Sequence, residues 1–276
     1  MQSRIAILGR REAFHGAAAG YHFGAEASLV ETSSFDELIR LVQEGHTDYG
    51  VMAWENSLAG PVPGNQERLR LSGLYAGAEI LLSINLHLAA LPGANREDLR
   101  EVHSHPMALK QVSHFLDLHP WIVPIEATDT ANAARLVAER GDPRAAAITG
   151  PTAAGHFGLG ILQHHVENRP GNQTRFLVLQ QGFVVPEKPE RVLLSGRPDG
   201  GLAALTHPLA ALHQAGLKLR RMDSLTDPDG GWKYQLHLDL MVEGRLSWPA
   251  VERELSRLPG ELRLLGAFAA GKTFIG

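Results

Sequence analysis

Tyr49-Gly50-Val51-Met52-Ala53-Trp54-Glu55-Asn56-Ser57 is an apolar run that ends in three polar residues, and Gly60-Pro61-Val62-Pro63-Gly64 follows it. The run predicts a buried strand over residues 49–54, and the Pro/Gly segment predicts a loop at its carboxyl end. Open α/β sheets place their sites at such strand-to-loop transitions. Upstream, residues 5–8 and 28–31 read as further buried strands. Ser33/Ser34 ahead of Phe35-Asp36-Glu37-Leu38 supply an N-cap and an acidic first turn. The helix they start carries Leu38, Leu41 and Val42 on one face and should stop at Gly45.

Downstream, the alternation over residues 79–91 predicts one long strand crossing between two lobes. Pro106 suits the first turn of a helix running to about residue 118. Thr128 or Asp129 caps a helix to residue 140 that buries Ala133, Leu136 and Val137, and residues 145–149 and 174–179 read as strands. Gly150-Pro151 restarts a helix between those two strands. Alternating strands and helices predict α/β layers. Val185-Pro186-Glu187-Lys188-Pro189-Glu190 then reads as an interdomain linker. Beyond it the order is strand 191–196, helix 205–214, strand 217–224, a turn at Asp227-Pro228-Asp229-Gly230-Gly231, strand 233–242, helix 248–258 and strand 262–268. That is βαββαβ, a small antiparallel sheet with helices on one face.

The 276 residues, 44% hydrophobic and 20% charged, are those of a folded globular chain. A net charge of −4, from 26 Lys+Arg against 30 Asp+Glu, gives no overall positive field for nucleic acid or an acidic membrane. With no cysteine, disulfides, thiolate zinc sites and thiol nucleophiles are excluded. No stretch approaches the roughly 18–20 apolar residues of a membrane span, and the expectation is a cytoplasmic protein.

Three motifs fail on context. Gly266-Ala267-Phe268-Ala269-Ala270-Gly271-Lys272-Thr273 spells a phosphate loop, but only Phe274, Ile275 and Gly276 remain for the helix such a loop needs. Asp227-x-Asp229-Gly230 begins like a calcium loop, yet Leu238 stands where its last glutamate belongs. His103/His105 and His164/His165 lack an acidic partner at ligand spacing, so no metal is expected.

What remains is a set of small polar residues at strand ends: Glu55-Asn56-Ser57 with Gly60, Ser104-His105-Pro106 with Gln111, and Asn172 with Thr174-Arg175-Phe176. Few of these are conventional acids or bases, which suits a reaction whose substrate carries its own driving force. In these segments, and in Thr130-Ala131-x-Ala133-Ala134 and Ala146-Ala147-Ile148, the chain resembles the prephenate dehydratase family over nearly its whole length.

The resemblance implies a catalytic domain of two periplasmic-binding-protein-like lobes over residues 1–182. One lobe spans about 1–78 plus 164–182, the other 79–163, and the substrate sits in the cleft between them. Residues 183–190 would be the linker and 191–276 a ferredoxin-like ACT regulatory domain. The implied reaction takes prephenate to phenylpyruvate, water and carbon dioxide with no cofactor. The implied roles are Thr174 as donor to the departing hydroxyl, and Glu55, Asn56, Ser57, Gly60, Ser104, His105, Gln111, Asn172, Arg175, Phe176 and His15 as substrate-binding residues. For Glu55 the physics favours orienting its neighbours over touching a dianion. Arg175 adjoins Thr174 in the strand, points the other way, and is alternatively an ion-pair partner within the lobe. A phenylalanine effector would meet Ala204, Leu205, Asp223 and Ser224, and a homodimer or homotetramer is expected.

The chain also departs from the family. Where the family opens Gly-Pro-x-Gly-Thr-Phe-Ser, this chain has Gly9-Arg10-Arg11-Glu12-Ala13-Phe14-His15, and Pro61 and Asn65 replace a Ser and a Thr. His15 as a cation, or Arg11, is the expected compensation. Ala203-Ala204-Leu205 replaces Gly-Ala-Leu, and Asp223-Ser224-Leu225-Thr226 replaces Glu-Ser-Arg-Pro. These departures leave two alternatives: a non-catalytic sensor of small aromatic acids, and a dehydratase that prefers arogenate.

Overall fold

The computed structural model describes residues 2–24, 26–197, 202–226, 234–244 and 246–275. The first lobe opens with β1 (Arg4–Leu8), α1 (Phe14–Phe23), β2 (Ser28–Thr32), α2 (Phe35–Gln43), β3 (Tyr49–Asn56), β4 (Gly60–Pro61), α3 (Asn65–Ser72) and β5 (Tyr75–Ser83). Ser34 caps α2 by accepting from the Glu37 amide, while the Glu37 carboxylate takes the Ser33 amide and hydroxyl. Those hydrogen bonds hold the Glu37 carboxyl below the usual carboxylate range. The helix ends at Gly45, whose φ of 71° is one that side chains other than glycine's rarely adopt.

The predicted long strand over residues 79–91 is two strands in two sheets. β5 ends at Ser83 and β6 (His87–Ala90) begins the second lobe, so the chain crosses at residues 84–86. There the Ile84 amide donates to the Asn172 carbonyl on the returning crossing. The second lobe continues with β7 (Glu101–Ser104), α4 (Pro106–Gln111), α5 (Ser113–Leu118), β8 (Val123–Glu126), α6 (Thr130–Arg140), β9 (Ala145–Thr149), α7 (Pro151–His156) and β10 (Gly160–Gln163). The single helix expected over residues 106–118 is broken at Val112, whose φ of −115° and ψ of 20° leave the helical region. Asp129 caps α6, accepting from the Asn132 amide.

β11 (Gln173–Gln180) returns to the first lobe and lies antiparallel between β3 and β5. The C-terminal module follows as β12 (Arg191–Arg197), α8 (Thr206–Gln214), β13 (Leu217–Thr226), β14 (Tyr234–Val242), α9 (Trp248–Leu255) and β15 (Glu261–Phe268), with β16 (Thr273–Ile275) after it. Its strand order β13-β14-β12-β15 is the predicted βαββαβ sheet, continued through β15 into β5-β11-β3-β1-β2 of the first lobe; the second lobe has its own sheet, β10-β6-β9-β7-β8. Gly266 meets Ala76 where the two parts join, and a Cβ there would lie 2.4 Å from the Ala76 carbonyl oxygen. One apolar face runs through both parts, with Met52, Trp54, Leu177, Leu179, Leu193, Leu265 and Phe268 packed with Leu38, Ile39 and Val42 of α2 and Leu69 of α3.

The phosphate-loop letters fall on the end of β15 and on β16, which pairs with residues 81–83 of β5 instead of leading into a helix. The expected turn at residues 227–231 lies outside the described residues. Among the described residues, no helix is long and apolar enough to cross a membrane.

Candidate active site

A cleft of about 650 Å³ separates the lobes, within the size range of small-molecule sites. His15, Asn56, His105, Gln111, Asn172, Thr174 and Phe176 of the predicted set all line it. Four of them form one hydrogen-bonded chain. The Asn56 Oδ1 accepts from the amides of Leu58 (3.0 Å) and Ala59 (2.9 Å), which turns Nδ2 toward the cleft. That Nδ2 donates to Asn172 Oδ1 (2.6 Å) and to Thr174 Oγ1 (3.0 Å). Asn172 Nδ2 in turn donates to Gln111 Oε1 at 3.3 Å. Both Asn56 protons are thus committed, Thr174 is held as an acceptor with its own proton directed elsewhere, and the Gln111 amide keeps its donor end.

Glu55, Ser57, Gly60 and Arg175 are brought together elsewhere, around a separate cavity of about 330 Å³ against the C-terminal module. Strand alternation makes the split and a β-bulge sets its sense: Arg175 pairs with Glu55, but Phe176 pairs with Ala53, leaving Trp54 as the extra residue. The bulge shifts the alternation of β3, so Ala53 and Asn56 share the cleft face while Glu55 points away. On β11, Thr174 and Phe176 face the cleft and Arg175 the opposite side. The substrate contacts expected of Glu55 and Arg175 are therefore replaced by ion pairing, the alternative already weighed for Arg175. The Ser57 hydroxyl ties the loop to β11 by accepting from the Gln173 amide at 2.9 Å.

Three more expectations change. Ser104 is fully buried, and its hydroxyl donates to the Ile148 carbonyl at 2.6 Å, which makes it a link between β7 and β9. His15 is poorly placed to be a cation: burial pushes its pKa down to about 4, its Nε2 is closed off without a partner, and its ring sits against Phe35 and edge-on to Phe176. Arg11 is turned away, its side chain bordering a different surface depression with Tyr21 and His156, and Arg10 pairs with Glu12. Of the predicted effector residues, Leu205 is in the core of the C-terminal module. Asp223 is held by Arg221 and by Gln66 of α3, Ala204 is half-buried and Ser224 is exposed.

His105 accepts the Met107 amide at Nδ1 and so caps α4, which places its remaining proton at Nε2 on the cleft side. His164 and His165 pack edge-on around His87, with ring centroids 5.0 and 5.1 Å away.

The residues lining the cleft include no lysine or arginine. Positive potential reaches it through the backbone at the N-terminus of α1, where Phe14 stands on its wall; Ser33 ahead of α2 and Thr130 of α6 stand there too, but those N-termini are met by Glu37 and by Asp129, a carboxylate that also lines the cleft. The cap position of α1 is Ala13, with no side-chain hydrogen bond, so the first amides of this helix are not taken up by a cap. Sequence reading missed these wall positions, although the N-cap signals at Ser34 and Asp129 mark where two of the helices begin.

The prephenate dehydratase family profile matches residues 5–182. The bifunctional chorismate mutase/prephenate dehydratase of Neisseria gonorrhoeae (strain ATCC 700825 / FA 1090) is 31% identical over 258 residues, 92% of this chain and 70% of that protein. The prephenate dehydratase of Amycolatopsis methanolica is 30% identical over 275 residues, 97% of this chain and 88% of that protein. The crystal structure of the Arthrobacter aurescens prephenate dehydratase in complex with L-Phe matches the fold with a TM-score of 0.84 at 24% identity, covering 96% of this chain and 90% of that one. On the match over residues 5–182 and the two-lobed fold that carries it, the chain belongs to the prephenate dehydratase family.

Proposed function

We propose that the chain is a prephenate dehydratase, with Thr174 as the group that meets the departing hydroxyl. The observation that carries this reading is the direction of the Asn56–Thr174 hydrogen bond. An amide that donates to Oγ1 leaves the threonine proton for an acceptor in the cleft and steadies negative charge gathering on that oxygen. In the reaction the electron pair of the carboxylate C–C bond enters the ring, carbon dioxide leaves, and the ring C–O bond breaks with its oxygen released as water. Aromatisation drives these steps, so the protein chiefly orients the ring and stabilises the leaving oxygen. Gln111, His105 at Nε2 and the uncapped amides of α1 are donors for the substrate's oxygens. Phe176 and Phe14 supply apolar walls for its ring.

Thr174→Ala should lower kcat by roughly 10² to 10⁴, the usual worth of a placed proton donor, while Thr174→Ser keeps most of the activity. The assay is phenylpyruvate formation from prephenate above the acid background, with arogenate as the competing substrate. Equal rates for wild type and Thr174→Ala would refute the role. The βαββαβ order of the C-terminal module supports reading it as an ACT domain with phenylalanine as feedback effector. β13 is its edge strand, with Leu219 and Met222 exposed, and suits pairing with a second copy in a homodimer or homotetramer. Phenylalanine in the dehydratase assay, and sedimentation with and without it, test both points.

A further inference from the structure

Behind the strand pair that presents Asn56 and Thr174 lies a cluster of buried charge that the dehydration itself does not use. Arg175 is 4% exposed and stands between three carboxylates: Glu79 of β5 (2.5 Å from Nε), Glu55 of β3 (3.1 Å from Nη1) and Asp239 of β14. Arg220 of β13 closes the circuit by pairing with both Glu55 and Asp239, Arg221 reaches Glu55 at 3.3 Å, and Arg191 of β12 reaches Glu79 at 3.3 Å. Three of these arginines and Asp239 belong to the C-terminal module; Arg175, Glu55 and Glu79 belong to the first lobe. Burial works against the charge of Arg175, but Asp239, Glu79 and Glu55 more than offset it and raise its pKa.

The register gives the cluster its bearing on the cleft. Thr174 pairs with Asn56 and Arg175 with Glu55, so each half of the catalytic hydrogen bond is one residue from a member of the ion cluster. A β-strand is stiff over one residue, and a buried arginine shared among carboxylates cannot lose one of them without the others rearranging. We propose that Arg175 is a positioning residue for the dehydration, and that the network centred on it makes the placement of Asn56 and Thr174 depend on how the C-terminal module is docked. This rests on the dehydratase reading for its chemistry and on the geometry alone for its mechanics. It also gives an effector in the C-terminal module a physical route to the cleft, since any shift of β13 or β14 moves Arg220 or Asp239.

The test uses the full chain with Asp239→Asn, and Arg220→Gln as the milder partner because Arg220 is partly exposed and its loss disturbs folding least. Both lie outside the cleft. The expected result is a fall in kcat of about two- to thirtyfold, the range of coupling through packed networks, with KM for prephenate little changed. Hydrogen exchange should speed up at residues 55–59 and 173–176 while the second lobe is unaffected. A purely structural ion cluster would lower the thermal midpoint and leave both readouts at wild-type values per folded molecule, and that result overturns the proposal. Wild-type protein that fails to turn over prephenate would count against the dehydratase reading alone, because the exchange measurement still decides whether the module controls the strand pair.

Discussion

Acidification should unfold this protein earlier than its carboxylates alone would require, because burial disfavours the charged form of two histidines, His237 in the core of the C-terminal module's sheet and half-buried His15, whose Nε2 is closed off. Burial pushes His15 and His237 each down to about 4, and both rings have nitrogens closed off without partners. An unfolded chain returns them to about 6.5. A depressed folded pKa means that between about pH 6.5 and 4 the unfolded state binds more protons than the native one. The stabilisation is present above 6.5 and is lost as pH falls toward 4. Moving from pH 7 to pH 5 should cost about 2 kcal/mol for each histidine, or about 4 kcal/mol for the pair. The assay is urea unfolding at half-unit pH steps. His15→Phe and His237→Phe should each remove about half of the excess slope, whatever they do to stability at pH 7. An imidazole titration of His15 near or above 6.5 in the native protein, or an unchanged slope in both variants, would refute the reasoning and restore His15 as a cation for the substrate.

Three shorter predictions follow from single contacts. Ser104→Ala should destabilise the second lobe by about 1–3 kcal/mol through the orphaned Ile148 carbonyl, while KM for prephenate stays put; a raised KM at unchanged stability would return Ser104 to the substrate site. Ala13→Thr should raise the unfolding free energy by about 0.5–2 kcal/mol, since Ala13 already has the extended backbone of an N-cap and lacks only the side-chain oxygen. Thermal denaturation reads it, and no gain would mean that the first amides of α1 are engaged. Gly266→Ala should cost about 1–3 kcal/mol because its Cβ collides with the backbone of Ala76, and a neutral effect in denaturant titration would show that the junction between module and lobe yields.

The elements and their order were legible because each has a local cause. Ser34 and Asp129 announce helices, Gly45 ends one, and the apolar run at residues 49–54 is long enough for one buried strand. The crossing between lobes was legible only as a long alternating stretch, because the break at residues 84–86 depends on Asn172, far away in sequence, accepting the Ile84 amide. The polar residues that meet in the cleft come from unlike places, Asn56 from the end of β3, Thr174 from the start of β11, Asn172 from the crossing and Gln111 from the end of α4, and no local pattern announces their meeting. Ser104 failed because the length of β7 is set by its pairing with β9, and that pairing gives the hydroxyl a buried carbonyl.

Glu55, Asn56 and Ser57 look like one polar group in sequence; the alternation of β3 makes them two, and the bulge at Trp54 decides which of them faces the cleft. A single unpaired residue changes which face Asn56 occupies, and with it the division of labour between adjacent side chains: one set makes a neutral hydrogen-bonded chain in the cleft, the other an ion cluster against the C-terminal module. The same division resolves how a chain of net charge −4 can admit a dicarboxylate. Among the described residues the buried arginine, Arg175, lies on the wrong face and is already neutralised by Glu55, Glu79 and Asp239. The cleft instead presents side-chain amide donors and the N-terminus of α1, which has neither a side-chain cap nor an acidic residue in its first turn, whereas the N-termini of α2 and α6 are already met by Glu37 and Asp129. Backbone dipoles of this kind do not titrate, whereas the histidine that sequence reading put in their place would have lost its charge above its pKa. The departure at Ala13 and His15 thus leaves the peptide groups of the first turn of α1 without a side-chain cap, and it is those groups, not the side chains that changed, that the proposed reading assigns to the substrate's oxygens.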